Sequence, residues 1–171
     1  WIKLLIGADE FINNRKRYCL WLVDCPPDEL RKMPLVMERV NRVREDRLKS
    51  TDKGMQNLAP IRFRETNNPD KCIVIPVVSS EKRPYIPIGF IDKNTISTNG
   101  NLIIPNGDLF LFGQLTSLMH MAWVKYTCGR LKSDYRYSKD LVYNNYPFPK
   151  NVSEKQKKAV EEKAQNVLDI R

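Results

Sequence analysis

The sequence contains one histidine, His120, and none of its four cysteines forms a C-x-x-C pair. A histidine-based metal cluster and a cysteine–histidine catalytic pair therefore lack the side chains that they need. His120 lies between two methionines in a helical pattern, which favours a packing role or a position on the helix surface over catalysis. The cysteines are interpreted as reduced residues of a cytoplasmic protein, mostly in its core: Cys19, Cys25, Cys72 and Cys128. We predict no metal site.

Long apolar runs are also absent. No stretch approaches the roughly 20 consecutive apolar residues that span a bilayer. No charged segment followed by an apolar one marks a secretory signal. The sequence therefore predicts no membrane partner and a cytoplasmic location. Position 1 is Trp and not Met, which is expected of a segment of a longer chain.

Sequence signatures of catalysis are missing as well. No Gly-rich strand–turn–helix segment could hold S-adenosylmethionine, and neither a P-loop nor a Gly-x-Ser-x-Gly motif occurs. The segment 144–148 superficially resembles the Asn/Asp-Pro-Pro-Tyr/Phe loop of amino-methyltransferases, but it lacks the consecutive prolines. We therefore expect no catalytic residue, no cofactor and no enzymatic activity in these residues alone.

Positive charge is what the sequence has in excess. Lys and Arg number 29 against 20 Asp and Glu, a net charge of +9 in 171 residues. Such an excess favours a polyanionic partner such as nucleic acid. A basic domain that docks an acidic protein would carry the same charge, so charge alone does not decide between them. The length suits one domain with a substantial core.

Hydrophobic periodicity predicts an α+β fold: a twisted, mixed or mostly antiparallel sheet flanked by helices. Strands are expected at 18–23, 71–78, 84–92, 101–104 and 108–112. Helices are expected over about 35–49 and 114–128, the second ending at Gly129 as C-cap. Pro34 should separate the first of these from a short helix, and 50–69 is predicted to be a loop.

Three apolar stripes at helical spacing should face the core. Val36, Val40 and Val43 form the first. The second comprises Leu115, Leu118, Met119, Ala122 and Tyr126, and the third comprises Val160, Ala164, Val167 and Leu168. The last helix begins at a capping box from Ser153 to Gln156. We predict a domain at 1–149, followed by the start of a helical tail at 150–171.

The stretch 129–149 carries the most informative polar pattern. Read at a period of two, one face holds Arg130, Lys132, Asp134, Arg136 and Ser138, and the other holds Leu131, Tyr135 and Tyr137. A helix would place Lys132 and Asp134 roughly 200° apart, so an extended backbone is needed for both to meet one partner. A polar strand edge with an incidental ion pair would show the same spacing. The spacing alone leaves both interpretations open.

These residue types suit the reading of duplex DNA. Guanine offers two acceptors in the major groove and its partner cytosine offers an amine donor, so Lys132 and Asp134 together complement one G·C pair. Nearby cations and hydroxyls suit phosphates: Arg130, Ser133, Tyr135, Arg136, Ser138 and Lys139. Weaker candidates for DNA contact are Ser79, Ser80, Arg83, Arg62 and Arg64.

Five further blocks occur along the chain: Gly7–Asn14, Arg17–Leu22, Pro76–Glu81, Tyr85–Phe90 and Met119–Trp123. With 129–149, and in the same order, they resemble the target-recognition region of MmeI-type fused restriction–modification enzymes and related adenine-specific DNA methyltransferases. The end, Asp140–Pro149 and a Glu/Lys/Gln-rich helix, is similar to the ends of recognition domains in type I specificity subunits. The resemblance therefore covers nearly the whole chain.

The resemblance implies a sequence-specific module for double-stranded DNA. It also implies an upstream domain of the same chain that uses S-adenosylmethionine to methylate adenine N6. In the family, the positions of Lys132 and Asp134 vary with one recognised base. Two other functions remain open from the residues alone. A module for RNA or single strands could stack bases on Tyr135, Tyr137 and the other aromatic side chains, and a structural domain could dock an acidic protein through its basic surface.

Overall fold

The computed structural model describes residues 1–170, and the chain divides into two compact units. The first unit contains residues 1–3 and 18–68, and the second contains residues 4–17 and the described residues from 69 onward. The α+β class is confirmed, but three small three-stranded sheets replace the single sheet that was predicted. No helix within residues 1–170 is long and apolar enough to cross a membrane.

The first unit is mostly helical. Its elements are β2 (Tyr18–Leu20), α2 (Pro27–Arg31), α3 (Pro34–Leu48) and α4 (Lys53–Asn57). Pro34 separates two helices as predicted, because it occupies the first turn of α3, where an N–H is not needed. The predicted strand 18–23 is shorter, and α4 interrupts the predicted loop 50–69 after its N-cap, Asp52. Four residues form the buried core: Leu22, Cys25, Leu30 and Val40.

The second unit contains most of the strands. Its helices are α1 (Ala8–Asn13), α5 (Leu109–Leu115), α6 (Leu118–Thr127) and α7 (Glu154–Asp169), with a π-helical turn at Lys139–Tyr143. Its strands are β3 (Lys71–Pro76), β4 (Val78–Ser79), β5 (Gly89–Asp92), β6 (Thr95–Ser97), β7 (Asn101–Pro105), β8 (Gly129–Leu131) and β9 (Asp134–Arg136). β1 (Ile2–Ile6) begins in the first unit and ends in the second. Its last three residues, from Leu4 to Ile6, pair in parallel with β6.

Two antiparallel sheets of the second unit meet at Val77. In one, β3 lies between β5 and β7, so that Ile73 is opposite both Phe90 and Ile104. In the other, β9 lies between β4 and β8. Val77 joins β3 to β4, and its carbonyl accepts a hydrogen bond from Tyr137 N–H at 2.8 Å. This join fixes the end of β9 to the central strand of the first sheet.

Two predictions between β7 and β8 are wrong. The segment 108–112 was expected to be a strand, but it begins α5, because the Asp108 carboxylate accepts the Leu111 N–H and caps a helix. The expected helix 114–128 is broken, because Ser117 caps a new helix by accepting from His120 N–H. Cys128, which is extended, ends α6, and Gly129 is the first residue of β8 and not a C-cap.

The apolar stripe predicted for α6 mostly faces solvent. Met119 and Tyr126 are exposed, Tyr126 at 92%, while Met121 and Val124 are buried. α6 carries apolar residues on two sides, so periodicity could not identify the buried side. The core of the unit collects residues from both sheets and four helical segments: Ile73, Ile75, Ile86, Ile88, Phe112, Leu115, Met121, Val124, Tyr135, Tyr137, Val142 and Ala164.

The last helix begins as predicted. Ser153 and Gln156 form the capping box that starts α7, and Ala164 is buried in the core of the second unit. α7 packs against α5 at Gly113, where a Cβ would lie 2.7 Å from Cγ1 of Val160. Glycine therefore permits the close approach of the two helices.

Candidate nucleic-acid interface

The predicted reading pair lies on a β-hairpin formed by β8 and β9. Leu131 is paired with Asp134 across the hairpin, so Lys132 and Ser133 form a two-residue turn. Lys132 has φ 55°, a left-handed conformation that favours glycine, asparagine or aspartate. The single extended strand predicted for this segment is therefore wrong. Lys132 lies at the tip and Asp134 at the start of the returning strand.

The turn changes which side chains share a face. The alternation predicted for β9 is confirmed, because Tyr135 and Tyr137 are buried while Arg136 is exposed. The prediction for β8 is wrong, because Arg130 is opposite Tyr135, and its guanidinium carbon lies 4.1 Å from the centre of that ring. Arg130 also donates to the Ser133 carbonyl at 3.1 Å. Arg130 therefore stabilises the hairpin.

Lys132 and Asp134 are not an ion pair. Asp134 Oδ1 accepts a hydrogen bond from the backbone N–H of Glu81 at 3.2 Å. Within residues 1–170, Lys132 forms no ion pair, and its side chain is exposed. The carboxylate is thus oriented by a backbone donor, and the ammonium is left free for another acceptor. The incidental ion pair, which was the alternative interpretation, is absent.

The turn that holds Glu81 lies directly after β4, which pairs with β9. Arg83 N–H donates to the Ser80 carbonyl at 3.1 Å, and Lys82 N–H donates to the Ser80 hydroxyl at 3.3 Å. Arg83 is exposed, as a phosphate contact requires. Ser79 is only 2% exposed and is opposite Tyr135, so the structure does not present it as a DNA contact. Sequence reasoning missed the Glu81–Asp134 contact, since 53 residues separate the two.

The remaining predicted contacts around the hairpin differ in availability. Arg136 is exposed and has no ion-pair partner within residues 1–170. The Ser138 hydroxyl accepts from Leu141 N–H at 3.3 Å, capping the π-helical turn, and Lys139 pairs loosely with Asp140 at 3.8 Å. Tyr135 is 5% exposed, so its ring supports the hairpin and offers no stacking face. Arg136 is therefore the most available cation of this group.

Arg62 and Arg64 belong to the first unit. Arg64 is paired with Asp52, and this hydrogen bond, together with the Gly54 N–H, holds the pKa of the Asp52 carboxyl below its usual range. The Arg62 side chain is exposed, while its carbonyl accepts from Arg47 at 2.8 Å.

A buried pair anchors the hairpin from behind. Nε2 of His120 lies 2.9 Å from the hydroxyl of Tyr137, and His120 is 1% exposed. Burial lowers the pKa of His120 to about 4 and raises the pKa of the Tyr137 hydroxyl well above its usual value. Both side chains are therefore uncharged near neutral pH. Of the two roles predicted for His120, packing or a position on the helix surface, its burial shows packing.

An exposed basic hairpin beside a polar turn is the kind of surface that nucleic-acid-binding domains present to their ligand. Residues 1–150 match the family described as MmeI, target recognition domain, and the chain belongs to this family. The resemblance drawn from the sequence is confirmed.

Two relatives extend the comparison. DNA methyltransferase A of Bacillus subtilis (strain 168) is 44% identical over 174 residues, which cover 100% of this chain and 20% of that protein. The structure of the Type IIL restriction–modification enzyme MmeI in complex with DNA has a TM-score of 0.92 and 45% identity, over 99% of this chain and 23% of that one. The chain thus spans less than a quarter of the length of either relative.

Proposed function

We propose that this chain is the part of a longer restriction–modification DNA methyltransferase that reads double-stranded DNA. In this proposal an upstream domain of the same chain methylates adenine N6 with S-adenosylmethionine, in the cytoplasm. The family, and the names of the two relatives, support this proposal. Residues 1–149 would be the recognition domain, and 150–171 would begin a helical tail, in which α7 packs on α5.

Within the hairpin, Lys132 and Asp134 read one G·C base pair. The observation that carries this proposal is the separate orientation of the two side chains. Lys132 extends from a turn in a left-handed conformation with its ammonium unpaired, and Asp134 is held by Glu81 N–H. Lys132 donates to guanine O6 or N7 in the major groove, and Asp134 accepts from the cytosine amine. Two-stranded ribbons fit the width of this groove.

The phosphate contacts fix the hairpin on the duplex without carrying sequence information. We assign this role first to Arg136, whose exposed guanidinium has no partner within residues 1–170, and to Arg83 on the neighbouring turn. Three further residues are weaker candidates for phosphate contact: Lys139, Ser133 and Ser138. Lys139 is near Asp140, and the Ser138 hydroxyl caps the π-helical turn. Arg130 contributes indirectly, because its contacts with Tyr135 and Ser133 stabilise the hairpin.

The two alternative functions lose support at the hairpin. Single-strand binding by stacking on Tyr135 and Tyr137 needs exposed rings, but these two side chains are 5% and 2% exposed. Docking of an acidic protein through the hairpin would not require an aspartate oriented by Glu81 N–H beside a free lysine.

Methylation of a randomised duplex library by the parent enzyme tests the proposal. Substitution Lys132→Ala should weaken discrimination at one base pair of the recognised sequence by about 1–3 kcal/mol and leave the other positions unchanged, since Lys132 contacts that pair alone. Substitution Lys125→Ala, on the exposed side of α6, is the control and should keep every preference. Loss of methylation without any change in base preference would contradict the assignment of Lys132 as a reader.

A further inference from the structure

The first unit leaves much of its main helix uncovered. α3 has 15 residues, and Val40 is the only one of them that is buried. Val43, a member of the predicted apolar stripe, is 38% exposed. Leu35, which lies outside that stripe in the first turn of α3, is 75% exposed. A helix of this length gains most of its stability from packing of its apolar face. The exposed face of α3 therefore lacks a partner within the first unit.

This face of α3 forms one wall of a groove of about 680 Å³, lined entirely by residues of the first unit. Tyr18 and Leu20 of β2 and residues 60–63 also line the groove. Twelve of the fifteen lining residues are apolar, and the other three are arginines. The groove is thus mostly apolar, and all of its charged side chains are positive.

Two of the three arginines are free. Arg47 is occupied, because it donates to the carbonyls of Leu58, Ala59 and Arg62. Arg39 and Arg62 have exposed side chains with no carboxylate partner among the described residues of their unit, and no Asp or Glu lines the groove. An occupant must therefore supply both an apolar surface and carboxylates.

We propose that the groove binds an acidic amphipathic helix from the part of the parent chain that lies outside these 171 residues. The proposal rests on the longer parent chain proposed above, and not on the base-reading roles. Between 77% and 80% of the length of the two relatives lies outside the matched region. A parent chain of similar length would contain enough additional sequence to supply such a helix. Apolar side chains at helical spacing would fill the groove, and Asp or Glu would pair with Arg39 and Arg62.

Other occupants fit the groove less well. A duplex presents phosphates and not an apolar surface, so DNA would leave Leu35 and Val43 without contacts. A second copy of this chain in a symmetric arrangement would bring Arg39 and Arg62 of both copies into one interface, where like charges repel. Charge complementarity therefore favours an acidic segment.

Site-specific photo-cross-linking in the full-length parent enzyme tests the proposal. A benzoylphenylalanine at Leu35 should cross-link within one chain to a peptide outside residues 1–171 that has acidic residues and apolar residues three or four positions apart. The same probe at Asn41, on the opposite side of α3, is the control and should give no such product. Substitution Arg39→Glu should lower the cross-link yield about tenfold, the effect of losing one charge-assisted contact.

Three outcomes would overturn the proposal: a cross-link between two chains, a cross-link to DNA, or no peptide cross-link at Leu35 above the Asn41 control. A cross-link within the chain to a segment without carboxylates, with a yield that Arg39→Glu does not change, would also overturn it. The methylation preference of each variant is measured alongside, and we expect it to be retained. A failure of this groove assignment is therefore distinguishable from a failure of the base-reading assignment.

Discussion

The carboxylate of Asp134 accepts a hydrogen bond from the backbone N–H of Glu81 at 3.2 Å, although the two residues are 53 positions apart in the chain. A carboxylate held in this way keeps lone pairs for a second donor, which the cytosine amine supplies in the proposed complex. A backbone donor also cannot rotate away as a side chain would. Asp134 is therefore oriented before DNA arrives, a condition that favours discrimination between base pairs.

Lys132 should be replaceable without loss of the fold. Its φ of 55° is a conformation that asparagine tolerates better than lysine and that a β-branched residue adopts only as an outlier. Urea denaturation should show that Lys132→Asn keeps or slightly raises the free energy of unfolding, while Lys132→Val lowers it by about 1 kcal/mol. A destabilised Asn variant with an unchanged Val variant would contradict the left-handed turn.

The two arginines of the hairpin should give different binding phenotypes. Arg136→Ala should weaken binding of the parent enzyme to all duplex sequences alike and reduce the salt dependence by about one released counterion, as expected of a phosphate contact. Arg130→Ala should instead loosen the hairpin, because its contacts with Tyr135 and Ser133 are lost. Binding titrations at several salt concentrations measure both. Equal salt slopes for wild type and Arg136→Ala would contradict the phosphate role.

His120 should make the stability of the chain depend on pH. Its folded pKa of about 4 lies below the unfolded value of 6.5, so the unfolded chain binds a proton first as the pH falls. Stability from this residue is therefore present above pH 6.5 and is lost as the pH falls towards 4, by at most about 3 kcal/mol. Denaturation of His120→Gln at a series of pH values should lack this part of the loss. An identical pH dependence in the variant would contradict the assignment.

The close contact between α5 and α7 should make any side chain larger than glycine at position 113 destabilising. Gly113→Ala gains about 1 kcal/mol of helix propensity, but its Cβ would lie 2.7 Å from Val160, and such overpacking costs about 1–3 kcal/mol. A net loss of stability is therefore expected. Val160→Ala removes the contacted methyl groups, so it should raise the free energy of unfolding in the Gly113→Ala background relative to its effect in wild type. Additive effects in this double-mutant cycle would show that the helices do not pack as described.

Local signals in the sequence predicted several elements well. Pro34 marked the separation of α2 and α3, and the Ser153–Gln156 capping box marked the start of α7. The segment Lys71–Pro76 became a central strand because a short run of β-branched residues suits a buried strand. In each case the determining interaction lies within a few residues of the signal.

The errors have a common physical origin in contacts that are distant or ambiguous in sequence. The run 108–112 is too short for its period to distinguish a strand from a helix, and the Asp108 cap decided the outcome. Alternation through 130–136 continued across a two-residue turn that has no Gly or Asn to mark it, so the hairpin was missed. Residue chemistry alone pointed to Lys132 and Asp134 as the proposed reading pair, but the hydrogen bond from Glu81 N–H to Asp134 depends on tertiary structure.

The most direct measurement is a swap of the reading pair. The parent enzyme carrying Lys132→Glu together with Asp134→Arg is assayed for methylation of a randomised duplex library, with each single variant beside it. The swap exchanges donor and acceptor, so the double variant should prefer C·G where the wild type prefers G·C. Each single variant should lose about 1–3 kcal/mol of discrimination without gaining a new preference. A double variant that keeps the original guanine preference would contradict the assignment of Lys132 and Asp134 as the readers of that base pair.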